Sequence, residues 1–457
     1  MGADLRRILA LAWPVLIGQL SMIAYGTVDT LLVARHSSID LAALAVGGAA
    51  YVTTFIGLMG AVMAVAPLAG QMFGAGRLAE SGHQLHQGVW LALGLALPGC
   101  ALLLFPWPFL ALAQLAPDVE PKARAYLAVL ALSLPAALVF AAWRGFNNAV
   151  SRPRTVMVLQ LAALAVKLPL SWLLIGGAPA LGLPALGVVG GAVATAVAMW
   201  SQLAAAVWVT QRDPFYAGFG LHTRRLQPPD REALRKLWSL GLPMGGAVLI
   251  EVSGFTMMAV FIARLGTTAV AGHQVAVNLV SILFMVPISL AHAVSTLVAQ
   301  QVGARDPAGA ERLGWRGVKL AIAVAALMGG TVFALREQVV GLYTADAVVA
   351  AAALSLLAWM VVFHIADAAQ ILAAFVLRGW QVATGPMVIY ALSLWGVGLG
   401  GGYLLAFDVG GLAPSALVGA RGYWAASTTG VVLAAVGLAL YLRATLRRRR
   451  GVAATSA

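Results

Sequence analysis

Charged side chains are scarce in this chain of 457 residues, where Asp, Glu, Lys and Arg together make up 10%, against roughly 25% in soluble domains. A water-soluble protein of this length could not cover its surface with so few charges. That excludes the three or so soluble domains suggested by length alone. Cysteine is nearly missing as well. The single thiol, Cys100, can form no internal bridge, so disulfide-built folds are excluded. Disordered and collagen-like chains are excluded from the other side, because 61% of the residues are hydrophobic. What is present in quantity is apolar sequence, and the fold class it implies is an all-α polytopic membrane protein.

Runs long enough to cross about 30 Å of hydrocarbon, roughly 20 helical residues each, fall near 8–34, 41–68, 86–112, 123–148, 155–177 and 185–210. A polar stretch covers 211–236. Six more follow near 237–263, 270–299, 316–335, 347–377, 384–407 and 419–442. Strict alternation of apolar and polar residues, the mark of a lipid-facing barrel strand, is absent. The first run starts behind Arg6 and Arg7 but is too long for a signal peptide and has no small-residue cleavage site, so it is expected to be retained.

A net charge of +13 would suit nucleic acid, but its distribution argues otherwise. With both termini cytoplasmic, that side receives 21 basic residues, among them Arg144, six between Arg212 and Lys236, Arg378 and the run Arg447–Arg450. The other side receives six, Arg35, Lys122, Arg124, Arg264, Arg336 and Arg421. This is the positive-inside pattern, and the terminal Arg run is expected to be a solvated anchor beside anionic lipid. No nucleic-acid partner is expected.

An internal repeat appears at an offset of 229 residues, pairing Pro14 with Pro243, Arg35 with Arg264, Gln71 with Gln300, Gly74 with Gly303 and Gly88 with Gly317. Six spans per copy make the two copies enter the membrane in the same direction. The expected architecture is therefore two six-helix bundles related by a pseudo-two-fold axis along the membrane normal, with a cleft between them, as in transporters of parallel repeats. The domains are expected at 1–210 and 237–442, joined by a cytoplasmic linker at 211–236 and followed by a basic tail at 443–457.

Four charges fall inside spans: Asp29, Lys167, Glu251 and Asp367. Each costs roughly 2.5–3.5 kcal/mol at a helix centre and so marks a pathway or a pair. At 1.5 Å per residue, Glu251 is roughly 22 Å from Lys236 and Asp367 roughly 16 Å from Arg378. The two carboxylates thus have similar depth in the second half, whereas Asp29 is in the outer part of the first. The offset sets Met22 opposite Glu251 and Met258 opposite Asp29, so the acids do not follow the repeat and different tasks for the halves are implied. Gln19, Thr27 and Thr30 accompany Asp29, Gln370 follows Asp367 by one turn, and Gln274, Asn278 and Ser281 form a stripe that fits either a cavity wall or helix–helix glue.

The strings Gly26-Thr-Val-Asp-Thr30, Gly272-His-Gln-Val-Ala-Val-Asn278, Glu251-Val-Ser253, Asp367-Ala-Ala-Gln370, Leu377-Arg-Gly379 and His86-Gln-Gly88, set on twelve spans and a repeat, resemble the multidrug and toxic compound extrusion family, NorM-type branch, over the whole chain. The resemblance implies antiport, in which a monovalent cation enters while a cationic, amphipathic organic compound leaves. It implies a bacterial inner-membrane protein acting as a monomer with small organic cations. It also matches Asp29 to a first-lobe acid, and Glu251 and Asp367 to a second-lobe pair associated with cation binding, sodium included. Two departures favour protons. Lys167 and Ser171 stand where such proteins commonly offer asparagines, and Phe363 stands where sodium-type relatives tend to carry a tyrosine.

No catalytic residue, cofactor or nucleotide is expected. His273, His292 and His364 form no metal-ligand spacing, although His364 stands close enough in sequence to tune Asp367. Gly74-Ala-Gly76 and Gly400-Gly-Gly402 lack the strand and lysine of a phosphate loop. Met257, Met258 and Met285 suit adaptable packing. The alternative is a flippase of a lipid-linked substrate, which three intramembrane acids against one lysine disfavour.

Overall fold

The protein is seen here as a computed structural model describing residues 2–455 apart from 114, 178–181, 224 and 412. Arg224 of the basic linker and the last two residues of the tail lie outside the described residues. Among the described residues twelve helices long and apolar enough to cross a membrane run, as α1 to α12, over Gly2–His36, Ser38–Gly74, Leu78–Leu104, Glu120–Ala149, Pro153–Gly176, Gly187–Arg212, Arg231–Ala263, Thr267–Gly303, Pro307–Ala334, Ala347–Gly379, Thr384–Ala406 and Ala420–Arg450. In hydrocarbon every main-chain N–H and C=O must be satisfied within its own segment, which is why long apolar runs fold this way. Large apolar side chains such as Leu97 (74% exposed) and Leu327 (72%) cover the outside, as suits contact with lipid.

All twelve expected spans are present, but one is displaced. α3 starts at Leu78 and ends at Leu104, whereas apolarity alone predicts 86–112. Its far end is closed by Pro106, which disfavours helix at the residue before it, and Trp107–Ala113 forms a separate short helix. Its near end, 78–85, carries polar residues that a hydropathy criterion rejects but the fold satisfies, Ser81 donating to the Ala69 carbonyl at 3.0 Å and His83 meeting Gln227 and Asp230, and the residues that follow hold the same segment. Gln87 Nε2 donates to the Pro228 carbonyl at 3.0 Å, and Gln87 Oε1 accepts from the Asp230 N–H at 2.8 Å. Trp90 donates to the Gln227 carbonyl at 2.8 Å, and His86 accepts from the Gln227 N–H at 3.3 Å. The His86-Gln-Gly88 segment is thus an anchor for the chain entering α7.

The described chain divides into two compact units, Trp13–Gly245 and the remainder up to Ala12 and from Gly246 onward. Both cuts fall inside helices, α1 and α7, and the 211–236 segment belongs with the first unit. There Tyr216 Oη donates to Asn147 at 2.6 Å and Arg152 pairs with Asp213 while covering the Phe215 ring at 4.3 Å. The Phe215 N–H and the Arg152 guanidinium hold the Asp213 carboxyl below the usual carboxylate range. That contact is therefore in force at neutral pH and is lost as pH falls through the acid range.

Within the first unit α4 is central, packed against α2, α3, α5 and α6, with 67% of its most apolar stretch buried. Within the second, α10 plays that part against α8, α9 and α12. The end of the first unit where α1 meets α2 is tied by Asp40, which pairs with Lys122 and accepts the Val188 N–H at 2.9 Å. Gly187 makes this approach possible. Its φ is +56°, and a Cβ there would sit 1.8 Å from Asp40 Oδ2. Gly187→Ala is expected to lower the stability of the folded, detergent-solubilised protein by at least about 1–2 kcal/mol, the left-handed penalty alone. An unchanged melting curve would show that Asp40 does not anchor α6.

Candidate functional site

Two sites of different size emerge, one in each unit. In the first, α1 sets Met22, Tyr25 and Asp29 at spacings of three and four, hence on one helix face. This face lines a cavity of about 520 Å³ with Tyr126, Arg144 and Gln160. Volumes of 300–1,000 Å³ are those of sites for small organic ligands. On one wall Lys167 Nζ donates to both oxygens of Asp29, at 2.6 and 2.7 Å, and to Thr195 Oγ1 at 2.9 Å, with Ser171 Oγ at 3.3 Å. Ser171 donates in turn to Asp29 at 3.0 Å.

The ammonium is fully buried and Asp29 is 5% exposed, so Lys167 does not snorkel. A charge pair removed from water survives when its remaining donors and acceptors are satisfied, and here the hydroxyls of Thr195 and Ser171 do that. Thr195 was not singled out in the sequence. Its signal is Gly190-Gly191 one turn before it. Gly190 lets α6 come close to α5, since a Cβ there would lie 2.4 Å from the Leu174 carbonyl oxygen. Gln19 and Thr30 stand outside this network. Thr30 lines the cavity while bonding its own helix at the Gly26 carbonyl, 2.9 Å away.

In the second unit α10 presents Asp367, 4% exposed, with Gln370 donating to it at 2.8 Å. α7 presents the half-buried Glu251, whose charge interacts with those of Asp367 and Arg378. The Tyr390 phenol of α11 interacts with all three. Gln370 Oε1, Arg378 Nη1 and Tyr390 Oη are buried without a hydrogen-bond partner among the described residues, so this cluster retains donors and acceptors for a guest. Glu251 also lines a pocket of about 20 Å³ with Gly254, Gly398 and Ser427, room for roughly one water-sized guest. Opposite it α11 is wound as a π-helix over Ala391–Gly401, an irregularity often found at functional sites, and Trp395 donates to the Ile250 carbonyl at 3.1 Å.

The remaining sequence candidates are placed elsewhere. Gln274 and Ser281 are exposed, and Asn278 accepts from Tyr343 Oη at 2.7 Å. His273 accepts from the buried Trp424 at 3.2 Å. His364 is fully buried, with both ring nitrogens unpartnered among the described residues. Phe363 packs 5.8 Å from the ring centroids of Phe255 and Trp424 and brings no oxygen to the cluster. Among the described residues no group of three His, Cys, Asp or Glu stands ready to hold a metal.

Two arginines require correction. Arg144 and Arg378, counted from the sequence as cytoplasmic charges, lie inside the fold. Arg378 is 4% exposed with its guanidinium 4.2 Å above the Phe375 ring, and Arg144 points its guanidinium at the sulfurs of Met22 and Met59, both at 3.1 Å. Each stands just before a glycine and an aromatic, Arg144-Gly145-Phe146 and Arg378-Gly379-Trp380, near the end of its unit's central helix. A charge close to the end of an apolar run looks solvated until the neighbouring helices are known. Without the pair the basic bias is 19 to 6 and still obeys the positive-inside rule. The interior, however, holds three acids against three bases, which removes the electrostatic objection to anionic groups on a cargo.

The MatE family model matches residues 14–173 and 243–404. The matches begin at Pro14 and Pro243, the prolines paired by the internal repeat. The chain is 41% identical over 441 residues to the probable multidrug resistance protein NorM of Aromatoleum aromaticum, covering 96% of this chain and 94% of that protein. It is 34% identical to the multidrug resistance protein PmpM of Pseudomonas aeruginosa, over 98% and 92%. Among solved structures, a MATE in the bent conformation superposes with a TM-score of 0.88 at 18% identity, covering 99% of this chain and 97% of that one. The eukaryotic MATE transporter AtDTX14 follows the same fold, with a TM-score of 0.85 at 20% identity over 98% of each chain.

Proposed function

Because this chain belongs to the MatE family, a family of transporters rather than enzymes, we propose that it is a secondary antiporter exporting amphipathic organic cations against an inward flux of protons. The observation that carries this reading is the division of volumes, a ligand-sized cavity beside Asp29 and a water-sized pocket beside Glu251. Multidrug resistance is what the names of the relatives state of them. The basic bias supports both termini on the cytoplasmic side of a bacterial inner membrane, and a monomer suffices for it.

Protons are favoured over sodium by the positive charge already at both acid sites. Lys167 Nζ occupies both oxygens of Asp29, where a sodium ion would compete with a tethered ammonium. The charge of Arg378 interacts with Glu251, and Phe363 offers no oxygen in exchange. A proton needs no coordination shell. Binding one at Asp29 would neutralise the carboxylate and leave Lys167 uncompensated in the interior, a state relieved by repacking α5 against α1 and α6. Pro169, two residues past Lys167, removes a main-chain hydrogen bond there, so α5 can bend at lower cost.

The test is reconstitution in liposomes with proton and sodium gradients imposed separately while efflux of a cationic dye is followed. A proton gradient is expected to drive export, and a sodium gradient at equal pH is expected to drive none. Export driven by sodium alone would overturn the ion assignment while leaving antiport intact.

A further inference from the structure

We propose that Met22 is a peroxide-sensitive modification site, at which the guanidinium of Arg144 promotes oxidation of the thioether to its sulfoxide and then binds the new oxygen. Arg144 and Met22 both line the first-unit cavity. Among the described residues the acceptors found for the terminal nitrogens of Arg144 are the sulfurs of Met22 and Met59, both at 3.1 Å. A thioether is a weak acceptor, and a guanidinium keeps its proton. The charge is therefore short of a strong partner, in an interior where an unmet charge is costly. A sulfoxide oxygen, neutral and strongly polar, supplies that partner without bringing a second charge.

Hydrogen peroxide is little larger than water, and a cavity of about 520 Å³ has room for it. A lone pair of the Met22 sulfur attacks one peroxide oxygen, forming the S–O bond as the O–O bond breaks. The departing oxygen leaves with the bonding pair and takes up the proton of the transferred oxygen, so the thioether is oxidised by two electrons and the peroxide is reduced to sulfoxide oxygen and one water. Negative charge grows on the departing oxygen, where donors already in place lower the barrier. The N–H groups of Arg144 stand beside the sulfur and act by hydrogen bonding alone, without losing a proton. Met59 shares the guanidinium but is not part of the cavity wall, which leaves Met22 as the more reachable of the two sulfurs.

The product changes how two helices are held together. Met22 is on α1 and Arg144 on α4, and a thioether contact between them is weak. In the sulfoxide form a charge-assisted hydrogen bond ties the helices, two turns or roughly 10 Å along α1 from Asp29 on the same face. The consequence, which rests on the efflux reading above, is an export cycle slowed by peroxide. Sulfoxide formation is an oxidation that methionine sulfoxide reductases reverse.

Met199 is the internal control, since it is half-buried like Met22 and lines the same cavity but is not one of the two sulfurs on Arg144. With the purified full chain in hydrogen peroxide, peptide mass spectrometry is expected to show Met22 oxidised roughly tenfold faster than Met199, the value of a charge-assisted hydrogen bond. In Arg144→Gln the two rates are expected to become similar, and in Arg144→Lys part of the difference is expected to remain. The wild-type comparison does not depend on any variant folding. Equal rates at Met22 and Met199 in the wild type, or a ratio unmoved by Arg144→Gln, would overturn the proposal. In proteoliposomes peroxide is expected to lower proton-driven export of a cationic dye several-fold in the wild type and to leave Met22→Leu at its own untreated rate. An equal fall in Met22→Leu would overturn Met22 as the responsive site. Absence of dye export before any peroxide is added would sink the efflux reading, while the mass comparison would still decide the modification.

Discussion

Glu251→Gln and Asp367→Asn are each expected to fold, insert and lose gradient-driven efflux, by about a hundredfold or more, equivalent to about 2.7 kcal/mol in the limiting step. Insertion should survive because removing a charge from the membrane interior relieves roughly 2.5–3.5 kcal/mol at a helix centre. Shape is preserved in both substitutions, so the Gln370 contact to position 367 and the packing of α11 near position 251 remain possible. What disappears is the ability to take up and release a proton or cation. The size of the pocket beside Glu251, about 20 Å³, argues that this site handles an ion rather than the organic cargo. Size-exclusion behaviour and dye binding should therefore match the wild type while the response to an imposed gradient vanishes. A variant that transports at the wild-type rate with its gradient dependence intact would make that carboxylate structural.

A double-mutant cycle on Asp29 and Lys167 should show strong non-additivity. Asp29→Asn strands a fully buried ammonium, and Lys167→Met strands a buried carboxylate. Removing one partner of such a pair costs about 3–5 kcal/mol, whereas replacing both with neutral groups costs far less. The double variant is therefore expected to be more stable than either single variant, with an interaction energy of about 0.5–3 kcal/mol or above, the range seen for residues in contact. Transport separates the roles further. If the pair is the proton-sensitive device, the double variant should bind dye yet lose its dependence on the proton gradient. Strict additivity in stability and in transport would reduce the pair to two independent structural groups, despite hydrogen bonds of 2.6 and 2.7 Å. The hydroxyls of Thr195 and Ser171 add a further check. Thr195→Val removes one acceptor from Lys167 without touching the charges, and should destabilise by about 1–3 kcal/mol, the cost of leaving one donor of a buried charge unsatisfied.

The amino-acid sequence by itself determined the twelve spans, the six-plus-six repeat and the three intramembrane acids. These are local quantities. The length of an apolar run, the cost of a charge within it and a recurrence at fixed offset do not depend on which helices become neighbours. Tertiary structure alone decided which charges meet and which are solvated. Asp29 and Lys167 are 138 residues apart, and their pairing is completed by a third helix, α6, that brings Thr195 to the ammonium. Arg144 and Arg378 look like flanking cytoplasmic charges because an arginine near the end of an apolar run can lie in water or beneath adjacent helices with equal local sequence. The first turns of α3 were misread for the converse reason. Ser81 and His83 are polar enough to end a hydropathy window, but the Ala69 carbonyl and the 227–230 segment supply their hydrogen-bond partners and so make their place in the helix tolerable. Burial of a polar group is settled by its partners, and partners far along the chain are brought together only by the fold.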